Sequence, residues 1–195
     1  MRHYSDSDTG RADKTTGCRR AVAVCSTLCT ALLLSSCQFA SLDAIVPAPA
    51  FIREAAYAEA ERYLGMEYEW GGQDLPRGID CSGLVVNVYH TVTAGTEYAP
   101  PFDDATAAML SERYTVDIDV PARGDLVFMG DGAVSHVAIL DRLGFDENGD
   151  ERVYFIDAYS AAPGGGRVME RSYPADSPVI LSYGRLLVIR HGQVR

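Results

Sequence analysis

Residues 68–85 read Tyr-Glu-Trp-Gly-Gly-Gln-Asp-Leu-Pro-Arg-Gly-Ile-Asp-Cys-Ser-Gly-Leu-Val, a glycine-rich loop that leads into the apolar run of residues 84–89. Cys81 lies where the loop meets this run. The first N–H groups of a helix have no partner within it, and the partial positive charge at that end favours a thiolate over a thiol. Although a free cysteine is often inert packing, this position predicts a nucleophile.

The same residues resemble the signature of the NlpC/P60 family of papain-like cysteine peptidases, which cleave bacterial cell-wall peptides. That signature reads Tyr-x-Trp-Gly-Gly and then Gly-(Ile/Phe/Tyr)-Asp-Cys-Ser-Gly-Leu-Val, and residues 68–72 and 78–85 meet every position. The resemblance continues through residues 124–130, 135–139 and 155–158. It implies an α+β, papain-like fold in which N-terminal helices pack on a central antiparallel β-sheet.

The charge of the chain is uneven. The 195 residues have a formal net charge of −10, and residues 1–37 carry +2, which leaves −12 for residues 38–195, where there is no lysine. Such an acidic domain repels phosphate backbones, so nucleic acid is not expected as a partner. Cationic or zwitterionic substrates fit the charge better, and plain solubility explains it equally well.

The N-terminal part has the features of an export signal. Arg19 and Arg20 precede a mostly apolar run that is too short to span a bilayer and ends Leu34-Ser-Ser-Cys37. This ending resembles a lipobox, which implies that Cys37 is lipidated. An ordinary cleaved signal peptide, a transmembrane anchor and twin-arginine export are the alternatives.

The chain is therefore expected to have three parts: a leader with a lipoprotein signal peptide at residues 1–36, a lipidated cysteine and tether at 37–50, and a catalytic domain at 51–195. Four of the five cysteines precede the domain, so no disulfide framework is available to it. The expected location is the cell envelope, with a lipid anchor in a bacterial membrane. Gln38 favours the outer membrane if the cell has two.

Apolar periodicity and turn residues predict helices first and strands after, which is typical of an α+β fold. The helices are expected at residues 51–64, 82–93 and 103–113, the last capped by Asp103 or Asp104. The strands are expected at residues 125–129, 136–141, 152–157, 167–171 and 185–190. Residues 146–150 are predicted to be a hairpin turn rather than a calcium loop, because they lack the ligand spacing.

A thiolate needs a base that takes and returns its proton. His136 is the best candidate, because it opens a predicted strand behind a glycine-containing turn. The other histidines are His3, in the leader, His90, on the far face of the Cys81 helix, and His191, near the C-terminus. The resemblance implies that Asp157 orients the His136 ring, although the family more often has histidine at that position.

The resemblance implies further site residues. The hydroxyl of Tyr68 would assist the backbone N–H of Cys81 in binding the oxyanion, and Asp80 and Ser82 would hold the free amine of a substrate. Helix capping by Asp80 explains its position equally well. Trp70 and the two glycines after it are expected to shape the loop.

Together these features predict a hydrolase that cuts the γ-D-glutamyl–diamino acid bond of peptidoglycan stem peptides through a Cys81 thioester. The bond is implied by the resemblance alone. The alternatives are a papain-like N-acetylmuramoyl-L-alanine amidase, an acyl-transfer enzyme and a catalytically silent peptidoglycan-binding scaffold. No metal or organic cofactor is expected, and any regulatory protein partner is unidentified.

Overall fold

The computed structural model describes residues 43–74 and 77–192 of the chain. Across these residues the helices are α1 (Ala50–Glu61), α2 (Cys81–Thr93) and α3 (Ala107–Arg113). The strands are β1 (Ala44–Pro47), β2 (Gln73–Asp74), β3 (Gly78–Ile79), β4 (Tyr98–Ala99), β5 (Thr115–Asp117), β6 (Leu126–Gly130), β7 (Val134–Phe145), β8 (Glu151–Tyr159), β9 (Arg167–Pro174) and β10 (Ile180–Arg190). The predicted leader and Cys37 lie outside the described residues. Within the described part, no helix is long and apolar enough to cross a membrane.

The large sheet is antiparallel and has the strand order β1-β10-β6-β7-β8-β9, with β4 and β5 also paired to β10. Strands β6 to β9 follow one another in sequence and in space, whereas β10 returns across the sheet to pair with β6 and β1. Helices α1 and α2 contact β7 and β8. The predicted α+β class is therefore confirmed, and the short β2–β3 pair belongs to the loop before α2.

Helix α2 is the most deeply buried helix of the described chain. Leu84, Val85, Val88 and Tyr89 are fully buried in it, and the Tyr89 hydroxyl donates a hydrogen bond to the Gly124 carbonyl at 2.6 Å. Valine loses χ1 freedom in a helix and is a weak helix former. Tertiary packing therefore stabilises α2, as the sequence predicted.

Helix α1 presents one apolar face to this core. Ile52, Ala56, Tyr57 and Ala60 are buried at helical spacing. The helix ends at Glu61, three residues earlier than its apolar pattern predicts. The next N–H groups bond three residues back instead of four, which is the tighter turn common at helix ends.

A buried ion cluster joins the helical layer to the sheet. The Asp125 carboxylate is fully buried and accepts two hydrogen bonds of 2.8 Å from Arg185 of β10. It also pairs with Arg53 of α1 at 3.5 Å and accepts a 2.8 Å bond from the Ala122 N–H. The paired charges connect α1 to β10 beside the start of β6.

Helix α3 begins later than predicted. It starts at Ala107, and its cap is Thr106, whose Oγ1 accepts a hydrogen bond from the Met109 N–H at 3.2 Å. The expected caps, Asp103 and Asp104, are exposed and lie before the helix. Phe102 and Ala105 are buried, and their packing holds the intervening residues in a non-helical conformation.

The sheet also extends beyond the predicted strands. Residues 44–47, which were expected to belong to the tether, form β1 and pair with residues 187–190 of β10. Strand β10 begins at Ile180 rather than at residue 185. Its Gly184 interrupts the apolar pattern because a Cβ there would lie 2.8 Å from Phe128 and Thr115 side-chain atoms. The folded part therefore starts before Phe51.

The predicted hairpin turn at residues 146–150 connects β7 to β8. Asp146 Oδ1 accepts hydrogen bonds from the N–H groups of Asn148 at 2.9 Å and Asp150 at 3.0 Å. Gly149 has φ of 86°, a conformation that glycine adopts readily. Both features are those of a plain turn.

Candidate active site

Cys81 is the first residue of α2, and the side chain of Asp80 caps the helix before it. Asp80 Oδ1 accepts hydrogen bonds from the Gly83 N–H at 2.7 Å and from the Ser82 hydroxyl at 2.9 Å. Asp80 Oδ2 accepts a third, from the Gly71 N–H at 3.1 Å. The cap therefore fixes both the start of α2 and the loop before it. The Cys81 thiol lies at the positive end of the helix, where a thiolate is favoured.

Two glycines allow the loop to pack directly on the helix. A Cβ on Gly83 would lie 2.4 Å from the Gly72 carbonyl oxygen, and a Cβ on Gly72 would lie 2.5 Å from the Gly78 carbonyl oxygen. The Asp80 N–H donates to the same Gly72 carbonyl at 3.0 Å. Any side chain at these positions would push the loop away from Cys81.

His136 and Asp157 approach Cys81 from the sheet. His136 lies near the start of β7, where it pairs with Met129 of β6, and its ring is mostly buried. Its Nε2 lies 2.5 Å from Oδ2 of Asp157, which is on β8 and fully buried. Because Asp157 occupies Nε2, Nδ1 is the ring nitrogen that is left for Cys81.

The ionisation of His136 follows from these contacts. Burial lowers the pKa of His136, but hydrogen bonds with Asp157 and Cys81, together with the charges of both groups, outweigh burial and raise the pKa from 6.5 to about 9. The imidazole is thus protonated at neutral pH. A protonated ring beside Cys81 stabilises the thiolate.

Tyr68 lies on the loop side of the same cleft. Burial is the main factor that raises the pKa of Tyr68, and the charges of Cys81 and Asp80 raise it further. The hydroxyl therefore remains a hydrogen-bond donor at neutral pH. Its loop is held against the β8–β9 connection, because the Tyr68 N–H donates to the Gly166 carbonyl at 2.8 Å.

The cleft has a volume of about 340 Å³. Its lining residues come from the loop before α2, from α2 itself, and from the strands and the turn before β7; they include Tyr68, Trp70, Cys81, Asp131, His136 and Arg171. Trp70 stands on the rim with 85% of its surface exposed. Such exposure is unusual for a tryptophan. Because Trp70 also lines the cleft, it presents an aromatic face there in addition to forming part of the loop.

Arg171 of β9 is a site residue that the sequence analysis did not identify. Its Nε donates to Asp157 Oδ1 at 3.0 Å, and its Nη2 donates to Oδ2 at 2.5 Å. The sequence shows that Arg171 ends a predicted strand, but only the pairing of β8 with β9 brings it to Asp157. No local pattern reveals that register.

The remaining candidate residues lie elsewhere or have other contacts. Asp80 and Ser82 adjoin Cys81 but do not line the cleft, so their substrate-binding role stays a prediction. His90 packs edge-on against Phe102, with ring centroids 6.0 Å apart, and His191 pairs with Asp43 at 3.3 Å. Among the described residues, no three His, Cys, Asp or Glu side chains are grouped so that they could hold a metal ion.

One curated relative shares part of the sequence. Protein P54 of Enterococcus faecium is 38% identical over 86 residues, which cover 44% of this chain and 16% of Protein P54. The match therefore spans about a sixth of that relative's length.

Solved structures are similar to about seven tenths of this chain. A Staphylococcus aureus protein described as similar to lipoprotein, NLP/P60 family, is 22% identical, with 72% of this chain and 43% of that chain covered and a TM-score of 0.47. RipD of Mycobacterium tuberculosis, described as a non-catalytic NlpC/p60 domain protein adapted to peptidoglycan binding, is 17% identical, with 69% and 95% covered and a TM-score of 0.44.

The family model named NlpC/P60 family matches residues 65–174, a segment that contains Tyr68, Cys81, His136, Asp157 and Arg171. This segment is more than half of the chain and includes the whole loop, α2 and strands β4 to β9. The protein therefore belongs to the NlpC/P60 family.

Proposed function

We propose that the protein is a cysteine peptidase of the bacterial cell envelope that cleaves the γ-D-glutamyl–diamino acid bond of peptidoglycan stem peptides. The observation that carries the proposal is that Cys81 and His136 line one cleft, with His136 Nε2 2.5 Å from the buried carboxylate of Asp157. Membership of the NlpC/P60 family supports the substrate class. The choice of bond rests on the family resemblance.

The chemistry follows from the protonation of the pair. The Cys81 thiolate attacks the peptide carbonyl carbon and forms a tetrahedral oxyanion. Protonated His136 gives its proton to the departing amine, which leaves a thioester on Cys81. Neutral His136 then takes a proton from water, the resulting hydroxide attacks the thioester, and the carboxylate product leaves as Cys81 is released.

Two donors would bind the oxyanion. The backbone N–H of Cys81 belongs to the first turn of α2, where N–H groups have no carbonyl partner within the helix. Tyr68 lines the same cleft and supplies a hydroxyl as the second donor. Losing one oxyanion donor costs about 100- to 1000-fold in kcat.

The central test is product analysis. The full chain in mild detergent, and its Cys81→Ala variant, would be incubated with defined muropeptides, and the products weighed by mass spectrometry. We expect the wild type alone to release the fragment that begins with the diamino acid, and Cys81→Ser to be as inactive as Cys81→Ala. Release of whole stems from the sugar would assign an amidase instead. Binding without cleavage by the wild type and the alanine variant would leave a scaffold.

We further propose that Cys37 is lipidated and anchors the domain to a membrane of the cell envelope. The motif Leu34-Ser-Ser-Cys37 after an apolar run supports this. A bacterium that expresses the full chain would be grown with an alkyne-tagged fatty acid. We expect the purified wild type to carry the tag at Cys37, and Cys37→Ala to carry none. Equal labelling of both proteins, or of neither, would contradict the anchor.

A further inference from the structure

Asp157 is a fully buried carboxylate that contacts two cations. Its Oδ2 lies 2.5 Å from His136 Nε2 and also accepts a 2.5 Å hydrogen bond from Arg171 Nη2, while its Oδ1 accepts a 3.0 Å bond from Arg171 Nε. A buried carboxylate without a compensating charge favours its neutral form. Arg171 supplies a compensating charge in addition to His136.

The sheet register brings Arg171 to this place. In the β8–β9 pair, Asp157 stands opposite Met169, and Phe155 stands opposite Arg171. Side chains two residues apart on a strand lie on the same face, so Asp157 and Arg171 are diagonal neighbours. The two-point contact then fixes the plane of the carboxylate, which a single hydrogen bond would leave free to turn.

The guanidinium of Arg171 is itself held in place. It lies over the Tyr159 ring, 3.6 Å from the centroid, and its Nη1 donates to the Tyr173 hydroxyl at 3.2 Å. Its side chain is only 14% exposed. Arg171 is thus fixed before substrate arrives, as a residue that orients another must be.

We propose that Arg171 is a positioning residue, which holds the Asp157 carboxylate directed at His136 and so maintains the thiolate–imidazolium pair of Cys81 and His136. The inference rests on the proposed function in one respect: the reaction that the Cys81–His136 pair performs is the proposed peptidase reaction. The raised pKa of His136 agrees with it, because a hydrogen bond with Asp157 is among the causes.

Other titratable groups around His136 come from helix α2, from strands β8 and β9, and from the segments before β7 and α2. Cys81 of α2 and Asp157 of β8 act on its ionisation directly. Asp131, on the turn before β7, lines the same cleft, as does Tyr68 from the loop before α2. Arg171 is the cation of this cleft that contacts Asp157.

The test measures the reactivity of the Cys81 thiol as a function of pH, in the absence of substrate. Alkylation of Cys81 by iodoacetamide in the full chain would be followed by peptide mass spectrometry between about pH 5 and pH 10. For Arg171→Met we expect the rate near pH 6.5 to fall by about tenfold or more, and the rate near pH 10, where any thiol is ionised, to stay within about twofold of wild type. Arg171→Lys, which keeps the charge but not the two-point contact, is expected to lie between them.

Arg142→Met is the matched control. Arg142 also pairs with an aspartate, Asp141, and lies over a tyrosine ring, Tyr154, at 3.9 Å. It lies outside the cleft, so its loss should leave the alkylation profile unchanged. If Arg171→Met does not fold, as judged by thermal unfolding, Arg171→Lys carries the test.

Two results would overturn the proposal. One is a pH profile of Cys81 alkylation in Arg171→Met that coincides with that of the wild type. The other is a loss of Cys81 reactivity that is equal at every pH. Muropeptide cleavage is a separate readout, for which we expect kcat/KM to fall roughly 100-fold in Arg171→Met. If wild type cleaves no muropeptide while the alkylation profile still shifts, the peptidase proposal fails and the role of Arg171 stands.

Discussion

At the scale of single residues, the chemistry of the site depends on the proton that His136 holds. Its contacts with Asp157 and Cys81 raise the pKa of His136 to about 9. The ring is therefore charged at neutral pH and can protonate a leaving amine. A histidine at its ordinary pKa would be mostly neutral there and would have to compete with water for that proton.

The raised pKa predicts the alkaline limit of activity. The proposed reaction requires protonated His136, so the activity should be fully present well below pH 9 and should be lost as the pH rises through about 9. The measurement is kcat/KM for a muropeptide between about pH 6 and pH 10. An alkaline limit near the ordinary value of 6.5 would show that Asp157 does not act on the ring as its position indicates.

The sequence identified the residues of the site that belong to local motifs. Cys81 was predicted from a glycine loop that enters an apolar run, and His136 from its place at the start of a predicted strand behind a glycine-containing turn. Asp157 was predicted from the family resemblance, although the family more often has histidine at that position. The proximity of His136 to Asp157 is a finding of the structure. Arg171 could not be found in this way. Its role depends on which residue of β8 faces it, and a shift of one residue would place it on the other face of the sheet.

At the scale of elements, the start of α2 combines two structural tasks in one side chain. Asp80 caps the helix through Gly83 and restrains the loop through Gly71. Thr106 performs only the first task, at α3, through Met109. Comparing the two caps therefore separates the stability that a cap provides from the placement of Cys81.

We expect Asp80→Ala and Thr106→Ala each to lower the free energy of unfolding by about 1 kcal/mol, measured in urea. Only Asp80→Ala should also slow muropeptide cleavage, because it releases the loop that carries Tyr68. Asp80→Asn keeps an oxygen that can cap the helix, so it should be close to wild type in stability.

Asp80→Asn also tests whether Asp80 binds a substrate amine. If it does, loss of the charge should raise KM for stems with a free N-terminal amine and leave KM for blocked stems unchanged. Equal KM values of wild type and Asp80→Asn for stems with a free amine would show that Asp80 does not bind the amine and that its role is structural. Full activity of Asp80→Ala would contradict the placement role as well.

Element boundaries were predicted less well than element types. Helix α3 begins at Ala107 because Phe102 and Ala105 are buried outside the helix. Strand β10 begins five residues earlier than predicted. The earlier part was missed because Gly184 interrupts the apolar pattern, and glycine is needed there because a Cβ would lie 2.8 Å from a side-chain atom of Phe128. In each case a contact with a distant part of the chain outweighs the local preference.

At the scale of the whole molecule, the sheet and the helices are joined at charged as well as apolar contacts. Asp125 holds Arg53 of α1 and Arg185 of β10, residues that are far apart in sequence. The order of helices and strands along the chain predicts the α+β class. It does not predict that β1 pairs with β10, because pairing between strands so far apart in sequence is set only in the assembled fold.

The arginine contacts have a consequence for proteolysis. Residues 38–195 contain no lysine, so trypsin can cut this part of the chain only after arginine. Arg53, Arg171 and Arg185 each have the guanidinium engaged by a fully buried aspartate. A protease must extract such a side chain from its ion pair before it can bind the peptide bond. Cleavage after these residues therefore reports the opening of the fold at three known points, one in α1, one beside the cleft and one in β10.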